Sequence, residues 1–252
     1  SDTCFSSSVD STVIQLGKAK SEISERFIGQ TSVVDLTIST ILSGGHALLV
    51  GVPGLGKTRL VETLGTVMGL ASTRVQFTPD LMPADIIGSE ILETSLDGKR
   101  YFKFIEGPIF SELFMADEIN RASPRAQSAL LQAMEERQVS VAGETRDLAS
   151  TFHVLATQNP IEQEGTYSLP EAQLDRFLAQ INIGYPDIVT EENILLATTG
   201  LVESSAKQIF DTKQLMSVQK LIRRMPVGKR TFTFILSLVR ALRPDDQTAS
   251  HA

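Results

Sequence analysis

The string Gly51-Val52-Pro53-Gly54-Leu55-Gly56-Lys57-Thr58 fits the spacing G-x-x-x-x-G-K-[ST]. That pattern has a mechanism behind it. Glycines let successive backbone N–H groups turn inward around phosphate oxygens, and a helix starting near Lys57 adds its positive N-terminal end. The Lys57 ammonium can reach β- and γ-phosphates, and the Thr58 hydroxyl can ligate Mg²⁺. With Arg59, which follows directly, these residues form the candidate phosphate-binding set. The competing reading is a Gly-rich turn from strand to helix that binds nothing.

A phosphate site of this kind needs a carboxylate from elsewhere in the chain to orient Mg²⁺. Leu113-Phe114-Met115-Ala116-Asp117-Glu118 offers four apolar residues that read as a buried strand, followed by two acids. Asp117 is the expected Mg²⁺-shell carboxylate. Glu118 is placed to polarise a water aimed at the γ-phosphate, although an acidic pair also suits an ordinary helix start. A kinase brings its own hydroxyl acceptor, whereas a hydrolase must position water, so a second acid leans toward hydrolysis. Asn159, in Thr157-Gln158-Asn159-Pro160, can donate to a γ-phosphate or hold the attacking water, and Asn-Pro is equally a common turn. Arg176, expected at the end of a helix beginning near Pro170, reads from spacing alone as dipole compensation. Arg121 reads as a surface charge or something more specific. His46 and His153 fall on strand patterns without metal-ligand spacing and read as core or strand-end histidines.

These residues need a scaffold, and the pattern names one. His46–Val50, Thr73–Phe77, Leu113–Ala116 and Phe152–Ala156 are short apolar runs of the kind buried on both faces of a parallel sheet; Ala179–Ile183 is a weaker one. Helical patterns at Lys57–Met68 and Pro124–Glu136 alternate with them, which predicts an open parallel α/β sheet. A helix containing Val13, Leu16 and Ile23 should stop at Gly29, and a second should span Val33–Leu42. The Ser-rich stretch Ser1–Ser11 is expected to fray. Turn signals at Asp97-Gly98 and Ala142-Gly143 predict β-hairpins over Ser89–Ile105 and Val139–Leu148. After Tyr185-Pro186 only helical patterns remain, at Glu191–Thr198, Thr212–Arg224 and Thr231–Leu242. The expected division is therefore an α/β nucleotide-binding domain over 1–186 and a small helical domain over 187–252.

Composition narrows the classes. At 252 residues and 42% hydrophobic, the chain can bury a substantial core. The 23 Lys and Arg against 30 Asp and Glu leave a net charge of −7, which weighs against sequence-independent nucleic-acid binding. Cys4 is the sole cysteine, so neither an internal disulfide nor a Cys-based zinc site can form. No apolar run approaches the ~18 residues of a membrane span and no signal-peptide pattern opens the sequence; a soluble, cytoplasmic protein is expected.

With these residues in view, the chain resembles the MoxR group of AAA+ ATPases from about Phe27 to Pro244. The resemblance is carried by Gly44 through Thr58, Gln76-Phe77-Thr78-Pro79-Asp80-Leu81, Ala116-Asp117-Glu118-Ile119-Asn120-Arg121, Ala156 through Tyr167, and Leu169-Pro170-Glu171-Ala172-Gln173-Leu174-Asp175-Arg176-Phe177. It implies a P-loop α/β fold with a helical lid, ATP and Mg²⁺ as cofactors, and a homo-oligomeric ring, commonly a hexamer. It further implies that Asn159 is sensor 1, that Arg176 is an arginine finger serving a neighbouring subunit, and that the segment Phe27-Ile28-Gly29-Gln30 lies near adenine, with Gly29 and Gln30 among the cofactor-binding residues. Arg121 resembles a residue facing the subunit interface. The two hairpins look like the helix-2 insert and pre-sensor-1 hairpin of the branch that also holds magnesium chelatase ATPase subunits. Members resemble chaperone-type machines that often work with von Willebrand factor A proteins in metalloenzyme maturation. One departure stands out: the lid's Gly-x-Ser-Pro-Arg sensor 2 is missing, and Gly228-Lys229-Arg230 comes too early for it. Either the lid is incomplete in this chain or it senses nucleotide differently.

The expected activity is Mg²⁺-dependent ATP hydrolysis coupled to remodelling of a protein client. Its rivals are a DNA-dependent motor, a nucleotide-gated scaffold with little turnover, and a small-molecule kinase.

Overall fold

The computed structural model describes residues 2–161, 165–198 and 205–243. In chain order the elements are α1 (Asp2–Ser24), α2 (Thr31–Leu42), β1 (Ala47–Val50), α3 (Lys57–Met68), β2 (Ser72–Gln76), α4 (Pro83–Ile87), β3 (Gly88–Thr94), β4 (Arg100–Glu106) and β5 (Leu113–Asp117). A single 3-10 turn, Ile119–Arg121, leads to α5 (Pro124–Glu136), β6 (Gln138–Val141), β7 (Glu144–Asp147), β8 (His153–Gln158), α6 (Glu171–Leu174) and β9 (Ala179–Asn182). Three helices follow, α7 (Ile188–Thr198), α8 (Thr212–Arg223) and α9 (Lys229–Ala241).

Five strands form one parallel sheet in the order β2-β5-β8-β1-β9. Alternation along each strand divides the core between the two faces. Leu49, Leu113, Met115, Leu155 and Ile181 point to a cluster with α1, α2, α3 and α8. Leu48, Phe114, Ala116, Val154 and Ala156 point to one built on α5. Each fully buried side chain of this size stabilises the fold by about 1.5–3 kcal/mol. The three-layer α/β architecture expected from the alternating runs is therefore present, and both hairpins, β3–β4 and β6–β7, project from it as antiparallel pairs.

Several expectations are corrected. The backbone is helical from Asp2 onward, across the stretch expected to fray; Ser11 and Thr12 hydroxyls bond back to the Ser8 carbonyl, a pattern compatible with continued helix. α1 then ends at Ser24, well before Gly29, and residues 25–29 form turns. β2 is not buried on both faces: it is an edge strand, so its residues alternate between exposed and half-buried. α6 is a single turn that stops before Asp175, leaving Arg176 beyond the helix. Among the described residues no strand follows β9, as expected. Glu162, Gln163 and Glu164, within one of the strings quoted above, lie outside the described residues, as does the stretch from Pro244.

Candidate functional site

The loop between β1 and α3 is shaped by its glycines. Gly54 and Gly56 have φ of +87° and +74°, conformations costly for any residue with a Cβ. A Cβ on Gly51 would stand 2.7 Å from the Ile183 carbonyl oxygen, so the crossing of loop and β9 end requires glycine there. α3 begins immediately at Lys57, without a side-chain cap and without an acid in its first turn. Its first N–H groups and the positive end of its dipole are thus left to an external acceptor, the requirement for an anion site.

Lys57 is buried, and its ammonium donates to the carbonyls of Gly51 and, at 3.2 Å, Val52. Burial pushes its pKa below the usual lysine range, while the charges of Asp117 and Glu118 act in the opposite sense. The cation and the two acids therefore share one field. Thr58 follows on the first turn of α3, half-buried.

Asp117 ends β5 and is buried. Its Oδ2 accepts from Arg74 Nη2 at 2.6 Å and Nε at 3.1 Å, and its Oδ1 accepts from the Thr157 hydroxyl at 2.6 Å. The same hydroxyl accepts the Glu118 N–H at 2.8 Å, so Thr157 on β8 ties both acids to the sheet. Glu118 holds a left-handed backbone, φ +55°, which for a non-glycine residue is strain of the sort found at functional sites. Its Oε2 accepts from Gln76 Nε2 at 2.8 Å and from Arg121 Nη1 at 3.0 Å. Arg121, compared above with an interface residue, thus contacts the second acid of its own chain. Asn159 is buried immediately after Gln158, whose carbonyl accepts the Gly51 N–H at 3.1 Å; the Asn159 Oδ1 accepts the Ile161 N–H at 3.1 Å.

Thr58 and Asp117 supply hydroxyl and carboxylate oxygen, hard donors suited to Mg²⁺, which normally keeps several waters and takes few protein ligands. The residues present fit that ion together with a triphosphate.

A cavity of about 250 Å³ opens beside the loop, walled by Phe27, Gln30, Gly54, Arg59, Pro186 and Ile194 among others. Gln30 donates to the Gly184 carbonyl at 3.2 Å. Gly29, at φ +80°, packs so closely on α7 that a Cβ would meet the Thr190 side chain at 2.1 Å. The 27–30 segment, the loop and the start of α7 thus enclose one space with a mixed apolar and polar wall.

Arg176 is placed elsewhere. Its guanidinium donates to Glu135 on α5 and, at 3.3 Å, to the Ala172 carbonyl, and its Nε is buried without a hydrogen-bond partner among the described residues. His46 and His153 are core histidines, as expected. Nδ1 of His46 accepts the Val154 N–H at 2.9 Å, and Nδ1 of His153 bonds the Gly45 carbonyl at 2.9 Å. Burial holds both at a pKa of about 4.

Sequence reasoning missed Arg74, Gln76 and Glu135 and gave Thr157 no role. Arg74 and Gln76 stand two apart on a strand and so share a face. That spacing was the one available signal, since the register that sets Gln76 beside Asp117 joins distant segments.

Residues 46–179 match the model of the ATPase family associated with various cellular activities (AAA). The chain is 44% identical over 232 residues to "Chaperone MoxR1" of Mycobacterium tuberculosis, covering 92% of this chain and 60% of that protein. It is 48% identical over 231 residues to the uncharacterized protein YeaC of Bacillus subtilis, covering 92% and 66%. The chain therefore spans only about three fifths to two thirds of the length of these relatives. A crystal structure of a candidate ATPase from Cytophaga hutchinsonii superposes with a TM-score of 0.81 at 38% identity, covering 91% of this chain and 69% of that one. Among the described residues no helix is long and apolar enough to cross a membrane. The family match spans the sheet, the loop and both acids, and the chain belongs to the AAA family of ATPases, within its MoxR group.

Proposed function

We propose that the chain binds ATP with Mg²⁺ and hydrolyses it at the junction between subunits of a homo-oligomeric ring, using the resulting movement to remodel a protein client. The observation that carries this reading is the Lys57–Asp117–Glu118 cluster, held by Thr157 beside an uncapped helix N-terminus. Gly51, Gly54, Leu55 and Gly56, with the Lys57 ammonium and the first N–H groups of α3, would grip the phosphates. Pro53 shapes the exposed turn, and the cavity lined by Gln30 and Arg59, with Gly29 behind it, would take the base. Thr58 and Asp117 would hold Mg²⁺, which when bound neutralises charge on the β- and γ-oxygens. Glu118 would orient the attacking water through its second carboxylate oxygen, and Asn159 would help fix it against the γ-phosphate. Arg176, reaching an adjoining subunit, would stabilise charge developing on the transferred phosphoryl group; such a residue is worth about 10³–10⁵ in turnover.

The helices after Pro186 would form a lid, since Pro186 and Ile194 wall the same cavity as the loop. The relative named as a chaperone supports work on a protein client; a von Willebrand factor A partner in metalloenzyme maturation is what the resemblance to the MoxR group implies. A cytoplasmic setting suits both.

Replacing Glu118 by Gln tests the assignment. ATP affinity should stay within about threefold, while steady-state hydrolysis by the assembled protein falls about 10²–10⁴-fold, the range for loss of a positioned base. Unchanged turnover would remove Glu118 from the reaction.

A further inference from the structure

We infer that the cavity beneath the N-terminal ends of β1 and β8 is a second anion site, shaped for a small phosphate-bearing molecule and distinct from the phosphate loop. The cavity measures about 330 Å³ and is lined by Gly44, Arg137, Ser150, Gln219, Lys220 and Arg223, with His153 and Met216 closing it. Among the described residues, three cationic side chains and no carboxylate form its wall. Among the described residues none of the three cations has a carboxylate within ion-pair distance. Like charges gathered in one concavity repel one another and raise the local concentration of anions.

Arg137 is the fixed member. It caps α5 in a left-handed conformation, φ +52°, where glycine or asparagine would be comfortable and arginine is strained. Its two terminal nitrogens are clamped by backbone, Nη2 to the Gly44 carbonyl at 2.8 Å and Nη1 to the Ser150 carbonyl at 3.2 Å. Those bonds use two of the five N–H donors of a guanidinium and leave the rest in a set orientation. Strain of this kind persists where surroundings over-determine it, and ligand clamps are one such place.

Arg223 approaches from α8, its Nη2 within 3.4 Å of where a Cβ on Gly44 would stand, and Lys220 lies one turn earlier on the same helix. The cavity floor adds no charge of its own. His153 donates through Nδ1 to Gly45 and accepts through Nε2 from Gln219 at 3.3 Å, an arrangement for the neutral ring, and Gln219 also donates to the Ile41 carbonyl at 2.8 Å. The nearest acid acting on His153 is Glu112, whose oxygens are engaged by the Ala71 N–H at 2.9 Å and the Thr151 hydroxyl at 3.0 Å.

The position separates this site from the catalytic one. Gly44 precedes β1 and the phosphate loop follows it, so the two sites are divided by the length of the strand, about 13 Å at the usual rise. Chains of this architecture bind nucleotides outside the carboxyl ends of their strands, so this cavity is at the opposite edge. An occupant would join Arg137, fixed to the sheet, to Lys220 and Arg223 on α8, beyond Pro186. It would thereby clasp the helical part to the α/β body.

The test is calorimetric titration with inorganic pyrophosphate and, in parallel, glucose 6-phosphate, on the 252-residue chain carrying Lys57→Ala so that the phosphate loop does not report. One equivalent should bind, and adding Arg223→Ala or Lys220→Ala should weaken it at least about tenfold, the loss of one charge-assisted contact. Lys213→Ala, an exposed cation elsewhere on α8, should change nothing. Stronger binding of pyrophosphate assigns the site to free polyphosphate, and stronger binding of the ester assigns it to a phosphate monoester; both uphold the inference. No binding of either probe, or equal binding in the Arg223→Ala and Lys213→Ala variants, overturns it. The same comparison on chain with Lys57 intact and saturated with ADP guards against a folding defect from the Lys57 change.

Discussion

Arg176 is docked on its own chain, and the strength of that docking decides whether it can serve another. The guanidinium meets Glu135, yet the side chains are 31% and 60% exposed, and an ion pair so open to water contributes about 0–1 kcal/mol. The 3.3 Å bond to Ala172 is long and adds about 0.5–1 kcal/mol at most. Against these stands the buried Nε, without a hydrogen-bond partner among the described residues, which penalises the docked position by about 1–3 kcal/mol. Release therefore costs at most about 2 kcal/mol, less than the roughly 4–7 kcal/mol that an arginine finger returns in the transition state. Three outcomes follow for ATP turnover measured on the assembled protein. Arg176→Ala should lower it about 10³-fold or more. Glu135→Gln should raise it by up to about fivefold, because it removes about 1 kcal/mol of competing attraction. Mixing Arg176→Ala subunits with Glu118→Gln subunits should recover activity, since each supplies what the other lacks. Turnover of Arg176→Ala within threefold of the parent, or no recovery in mixed rings verified by native mass spectrometry, would show that Arg176 is only a structural partner of Glu135.

Two further outcomes concern stability. His46 and His153 have pKa values near 4 in the fold against about 6.5 unfolded, so between those values the unfolded chain binds more protons and stability must fall as pH falls. The full contribution is present above pH 6.5 and is lost by pH 4, about 3 kcal/mol for each histidine. Urea midpoints measured from pH 7 to 4.5 should drop steadily, less so in His153→Gln, and a flat profile would contradict the burial argument. Gly51→Ala should cost about 1–3 kcal/mol and weaken nucleotide binding, because its methyl group would sit 2.7 Å from the Ile183 carbonyl. Denaturation of Gly51→Ala at the parent midpoint would show that loop and β9 can part freely.

The fold was legible where physics is local. The parallel strands β5 and β8 are legible because burial on both faces demands unbroken apolar runs, and the turn from β1 into α3 is legible because its positive φ angles favour glycine. β2 departs from that expectation because Ser72–Gln76 carries one apolar residue, Val75, and its polar residues Arg74 and Gln76 share the face left open to solvent. α6 is shorter than its sequence suggests because Pro170 gives a sound helix start while the stop after Leu174 has no glycine or proline to mark it.

The candidate site divides in the same way. Lys57, Thr58, Asp117 and Glu118 announce themselves by spacing within single segments. Arg74, Gln76 and Thr157 do not, because what matters is the register that sets β2 beside β5 and β5 beside β8. Yet these three determine how the acids behave. Arg74 and Thr157 occupy both oxygens of Asp117 and fix its position, whereas among the described residues Glu118 is held through Oε2 alone, by Gln76 and Arg121. One carboxylate is thus anchored for a static electrostatic task. The other, on a strained backbone with its donors gathered on one oxygen, keeps the second oxygen for a proton or a water. On the proposed mechanism, the difference between an acid that would hold the ion and one that would orient water is set by their neighbours, not by their own identity.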